Sequence, residues 1–242
     1  MKSNLIQTRK PNVLLKVGWA VVLLLAVLMF LLASRYLTLN PDVYFSEQRA
    51  VYMTHTALLL VHIVGSMLAT IIGPFQFLPR IRKGQHIKLH RWFGRIYLIG
   101  VLFGGLGGLY MARLAYGGLP ARLGFASLAL LWLFSGFMAY KRIRNKDIEH
   151  HRQWMIRNYA LTFAAVTLRL WQIVFHGTGI DFAIGYMTVA WLCWIPNLIV
   201  AEWLIHRQRR SMELRVQANP SNGRDEGLQR EQSHVTQTQL NS

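Results

Sequence analysis

VLLKVGWAVVLLLAVLMFLLA (residues 13–33) is an apolar run with one charge, Lys16, near its start and no acidic residue. A hydrocarbon core of about 30 Å takes roughly 20 helical residues to cross. This run is long enough to do so as one helix, a structure that pairs its own backbone groups where no water is present. A secretory signal peptide has a shorter apolar region, about 7 to 15 residues, ending at a small-residue cleavage site, so the run reads as a retained first helix. Further apolar runs occupy 55–78, 92–111, 123–140, 157–175 and 183–205. The expected fold is all-α: an integral membrane helical bundle of about six transmembrane helices.

Of 242 residues, 53% are apolar and 15% charged, with a formal net charge of +17. In a soluble protein that charge would point to nucleic acid, because Lys and Arg neutralise phosphates. Here the basic residues fall between alternate apolar runs, as the positive-inside rule requires, and no nucleic-acid partner is expected. The segments assigned inside hold eighteen Lys and Arg, while the outer ones hold four, Arg35, Arg49, Arg113 and Arg122. Both ends are therefore expected in the cytoplasm, the protein in the bacterial cytoplasmic (inner) membrane, and the basic loops against anionic headgroups. Residues 1–12 form a cytoplasmic N-terminal segment, 13–205 the membrane domain, and 206–242 a polar tail with too little apolar surface to fold, hence expected to be disordered.

Cys193 is the only cysteine, which excludes an intramolecular disulfide, a four-thiolate metal site and C-x-x-C-H haem attachment. The sequence contains no HExxH, Walker loop, Ser/His/Asp arrangement or carboxylate pair, which argues against hydrolase chemistry. Any bound metal would rely on His or oxygen ligands.

Polar residues inside membrane helices are costly and mark interior faces. In the second run His55, His62, Ser66, Ala69, Gly73 and Gln76 share one helical face. Asn158, Thr162, Ala165, Arg169, Gln172 and His176 do so in the fifth, and His90, Gly94, Tyr97, Gly104 and Gly108 in the third. The three stripes are expected to meet in the bundle, with Gly100, Gly104 and Gly108 permitting close helix packing. Arg169 would lie roughly 10 Å below the outer surface at 1.5 Å rise per residue. No acidic residue lies in the central part of any run, so its guanidinium must use carbonyls, water, snorkelling or an anionic ligand.

The motifs GPFQFLPRIR (residues 73–82), LHRWFGRIY (89–97) and HRQWMIRNYALTFAAVTLR (151–169), with the GGLPARLGF connection (117–125), resemble the bacterial membrane family known as domain of unknown function 2306. The resemblance covers roughly 55–169, with the first helix, the sixth helix and the tail matching loosely or not at all. It implies a helical membrane bundle, supplies no activity, and maps onto Gln76, His90, Arg91, Gly94, Arg95, His151, Trp154, Arg157 and Arg169.

The leading functional expectation is a haem b or quinone cofactor held in the bundle, passing electrons to a redox partner. His62 and His176 are the outer metal-ligand candidates, and His90 and His151 the inner ones. Arg169 would pair with an anionic group, Arg91, Arg95 and Arg157 would orient an anionic headgroup at the inner face, and Gln76 belongs to the same candidate set. The alternatives are a binding or transport protein for an anionic or amphipathic small molecule, and a ligand-free scaffold.

Overall fold

The computed structural model describes residues 13–82 and 84–218. Among the described residues there are nine α-helices and no strand: α1 (Val13–Ser34), α2 (Arg49–Thr54), α3 (Thr56–Gln76), α4 (Ile87–Ala112), α5 (Gly118–Arg144), α6 (Ile148–Thr162), α7 (Ala164–Gly177), α8 (Phe182–Leu192) and α9 (Ile195–Ala218). Five stretches of them are long and apolar enough to cross a membrane: Lys16–Thr38, Thr56–Gln76, Gly84–Ala112, Gly118–Arg144 and Phe182–Leu214. Large apolar side chains such as Leu24, Leu102, Phe103, Phe134, Phe137 and Ile173 point outward. So much exposed apolar surface suits lipid and not water. The protein is a helical membrane bundle.

One expected span is formed differently. In place of a single helix over 157–175, α6 and α7 are separated at Phe163, and each is too short to span alone. Phe163 keeps right-handed helical dihedrals, φ −68° and ψ −10°, so the chain runs on with an interrupted ladder. The Ala160 carbonyl, which an unbroken helix would pair with the Ala164 amide, accepts from Asn197 Nδ2 at 3.1 Å. A second break separates α8 from α9. Pro196 has no N–H to offer the Leu192 carbonyl and its ring crowds that turn, so α8 ends at Leu192.

The chain divides into a compact unit up to Leu198 and a second from Ile199 onward. In the first, α3 packs most extensively on α4, and α5 lies between α4 and α6. The α3–α4 contact is backbone on backbone. A Cβ on Gly100 would come within 2.7 Å of the Gly65 carbonyl oxygen, and one on Gly65 would collide with the Gly104 backbone. In the second unit, α9 is helical to Ala218. Residues 206–218, the start of the polar tail, continue this helix, and they are mostly good helix formers with no Gly or Pro. Residues 1–12 and the rest of the tail, 219–242, lie outside the described residues.

Two of the three expected stripes meet in a buried polar knot between α4, α5 and α6. Asn158 and Tyr97 are both 0% exposed. The Tyr97 hydroxyl donates to Asn158 Oδ1 at 2.6 Å, and Asn158 Nδ2 donates to the Trp132 carbonyl and to Ser135 Oγ, each at 2.8 Å. Trp132 Nε1 donates to Thr162 Oγ1 at 2.8 Å. Every polar atom of Asn158 thereby has a partner, as a lipid-embedded amide requires. The α3 stripe meets α6 one turn further along. Pro74 frees the Thr70 carbonyl, and the Tyr159 hydroxyl, its ring lying where a Gly73 side chain would stand, donates to it at 3.5 Å.

Candidate functional site: an intramembrane cavity

Beyond the knot, toward the end of the bundle that carries residues 35–55, the helices part around a cavity of about 250 Å³. Small residues at the facing positions make the room: Gly104 and Gly108 on α4, Ala129 on α5 and Ala165 on α7. The wall is otherwise aromatic and aliphatic, including Phe30, Met67, Phe125 and Trp132. Polar groups enter from several elements, among them His62 and Ser66 on α3, Arg169 and Gln172 on α7, and Gln48 and Tyr52 from the connection between α1 and α3.

His62 is held by what α4 lacks. A Cβ on Gly108 would stand 2.8 Å from its Nδ1, so the imidazole fits only against glycine. Nδ1 lies 2.7 Å from the Gly104 carbonyl oxygen. A carbonyl can only accept, so the ring carries its proton on Nδ1 and, when neutral, leaves Nε2 as the free acceptor or ligand atom.

Arg169 donates from one guanidinium nitrogen to Gln172 Oε1 at 2.8 Å, and its Cζ sits 5.0 Å from the centroid of the Phe45 ring. Among the described residues no ion pair is seen at Arg169; those that are seen include Arg49 with Asp42, Arg142 and His150 with Asp147, and Arg152 with Glu149. A guanidinium has five N–H donors, and one neutral acceptor with one aromatic face leaves its charge uncompensated inside the bundle. Two further lining atoms, Gln48 Oε1 and Ser66 Oγ, are buried without a hydrogen-bond partner. Gln48 is 2% exposed and is anchored by its Nε2, which donates to the Leu114 carbonyl at 3.3 Å. Burial, with Tyr186 and Tyr36 nearby, pushes the Tyr52 hydroxyl well above its usual range, so it stays a neutral donor.

Of the sequence-derived candidates, His62 and Arg169 come to this cavity and the others do not. His176 is exposed at the end of α7. Gln76, His90 and His151 lie at the opposite, basic-loop end, where His151 Nδ1 is 2.8 Å from the Ala139 carbonyl oxygen. Arg91 and Arg95 are exposed, with Arg95 over Trp92 at 5.5 Å, and Arg157 lies over Trp154 at 4.8 Å. Such Arg–Trp pairs suit the membrane–water interface. Among the described residues no three His, Cys, Asp or Glu side chains gather as a metal site. The cavity offers a macrocycle one imidazole and no second across from it, so the residues present do not fit a haem clamped between two histidines. Sequence reasoning missed Phe45, Gln48 and Tyr52 because they lie in a connection between membrane helices, where no periodicity marks an inward face.

The family model described as a predicted membrane protein, DUF2306, matches residues 59–205. The match reaches through α8 into α9, beyond the stretch whose motifs carry the resemblance. No curated protein and no solved structure matches the chain.

Proposed function

Because the chain belongs to the DUF2306 family of predicted membrane proteins, whose description names a setting and no activity, we propose a function from the cavity itself. The protein binds a compact, largely apolar molecule bearing an anionic or carbonyl head, with Arg169 as the head's principal donor. The observation that carries this reading is a guanidinium lining an apolar cavity with a neutral glutamine as its hydrogen-bond partner. A bound oxyanion or carbonyl would satisfy the remaining donors in a medium of low dielectric, where the interaction is strong. His62 Nε2 would accept from a hydroxyl on the same molecule, and Ser66 Oγ would complete the contact.

A quinone-type ring is the redox-active member of this class. It combines a flat apolar body with carbonyl oxygens for Arg169 and, when reduced, hydroxyls for His62. In that case the protein would carry electrons between the membrane pool and a redox partner.

Organic extraction and mass spectrometry of the protein purified in a mild detergent test the reading, with wild type compared with Arg169→Leu and Arg169→Lys. Wild type should retain one such molecule per chain, Arg169→Leu should lose at least about tenfold of it while the bundle stays folded, and Arg169→Lys should fall between, since Lys keeps the charge without the planar fork. Equal ligand content in wild type and Arg169→Leu would leave Arg169 a packing residue and end the proposal.

A further inference from the structure

A second polar cluster lies at the basic-loop end, roughly 20 Å from His62 along α3 at 1.5 Å per residue, and the cavity does not include it. Gln76, the last residue of α3, is 5% exposed, and its Nε2 is buried without a partner. Its Oε1 lies 3.5 Å from where a Gly94 side chain would begin, so it packs on α4 one turn from His90. Nδ1 of His90, Nε of Arg82 and Nε of Arg152 are buried and unpartnered as well. These groups come from the end of α3, the connection between α3 and α4, the start of α4 and the start of α6; the Arg82 and Arg152 charges lie near enough to repel each other, and His90 lies within reach of Arg82, Arg91 and His151. Partial burial and the Arg152 charge together weaken the hold of Arg82 on its proton. Glu149 accepts from Arg152 at 3.4 Å and also from the neutral Gln153 Nε2 at 3.0 Å, so this carboxylate is a counterion for Arg152 that it divides with an amide.

Like charges gathered under partial burial, with several donors unused, are an arrangement that an oxyanion neutralises. Two guanidinium groups together with an amide and an imidazole, arriving from three helices and a connection, match a tetrahedral oxyanion better than a planar carboxylate. We infer that Gln76, Arg82, His90 and Arg152 form a binding site for a phosphate group at the basic-loop end, separate from the Arg169 cavity. The phosphate belongs either to a phospholipid headgroup reaching the site from the bilayer or to a free phosphate from solution.

The test uses the full chain in a phosphate-free detergent and in nanodiscs. In detergent, inorganic phosphate is titrated at constant ionic strength while thermal unfolding is followed; in nanodiscs, phosphatidylglycerol is compared with digalactosyldiacylglycerol, a bilayer lipid that carries no phosphate. Wild type should be stabilised by at least one probe, and Arg82→Gln/Arg152→Gln should weaken that probe's apparent affinity by tenfold or more. Arg144→Gln, an exposed basic residue in the last turn of α5, should behave as wild type. Gln76→Glu places a carboxylate where the anion would sit, so it should raise the melting temperature without phosphate and abolish the response to either probe. A response to inorganic phosphate assigns the free ion, and a response to phosphatidylglycerol alone assigns the headgroup. If neither probe separates wild type from the double variant, or if Arg144→Gln loses as much as it does, the site does not exist. Because Arg169 is untouched, retention of the cavity ligand reads out separately and fails or succeeds independently.

Discussion

At the scale of single residues, glycine has opposite meanings on two helices. Gly65 faces the α4 backbone at its closest approach, whereas Gly18 on α1 has no heavy atom within 4 Å of where a Cβ would stand. Gly65→Ala should therefore force α3 and α4 apart and destabilise by about 1–3 kcal/mol, the range for overpacking a tight contact. Gly18→Ala should be neutral or stabilising by up to about 1 kcal/mol, from backbone entropy alone. Unfolding midpoints of the two variants in mixed detergent check this, and a larger loss from Gly18→Ala than from Gly65→Ala would refute the packing account. The small-residue spacing on α3 and α4 was legible in the sequence. That His62 rests in the gap left by Gly108 was not, because a period identifies a face without telling which side chain of the facing helix fills it.

At the scale of elements, the two interrupted helices answer each other. The Cys193 carbonyl, at the end of α8, accepts from Asn197 Nδ2 at 3.0 Å and from the Thr167 hydroxyl on α7. The same Asn197 nitrogen lies 3.1 Å from both the Ala160 carbonyl and Thr167 Oγ1. A break in a membrane helix is tolerated where side chains re-satisfy the freed carbonyls, and here one asparagine serves both breaks. Asn197→Leu should lower stability by about 1–2 kcal/mol, the scale of interhelical hydrogen bonds in membranes, and should speed amide exchange around Phe163 as well as around Cys193. Exchange that rises at Cys193 alone would show the breaks to be uncoupled. The run 183–205 also reads as one span, although Pro196 is a residue that could mark its break. The break at Phe163 has no Gly or Pro to mark it, which is why the run 157–175 reads as one helix.

At the scale of the whole molecule, the two ends of the chain lie on the same side only if α6 and α7 together make one crossing. The basic-residue bias predicts that they do. Reporters inserted at 145–147 and at 178–181 should then read opposite faces, the first cytoplasmic, as should a fusion after Ser211, while one at 115–117 reads external. A reporter at 178–181 on the same side as one at 145–147 would make α6 and α7 a re-entrant pair and leave an odd number of crossings. The arrangement also places the two candidate sites at opposite ends: the Arg169 cavity toward the loops poor in basic residues and the Gln76 cluster toward the rich ones.

What the sequence by itself determined is the membrane setting, the positions of the helices, the family and the faces that turn inward. The family follows from the motifs at 73–82, 89–97 and 151–169; the other three follow from quantities that are local sums or periods: apolar length against bilayer thickness, charge per loop, and the spacing of polar residues along one helix. Only the tertiary structure decided which inward residues share a site. Asn158 and Thr162, in the same stripe as Arg169, are absorbed into a hydrogen-bonded knot with Tyr97 and Trp132. His176, one turn beyond Gln172, emerges at the surface, and Phe45 and Gln48 enter the cavity from a connection with no pattern to read. Whether a buried polar side chain is spent on structure or left to meet a ligand depends on what the neighbouring helix places opposite it, and that pairing is not a property of any one segment of the chain.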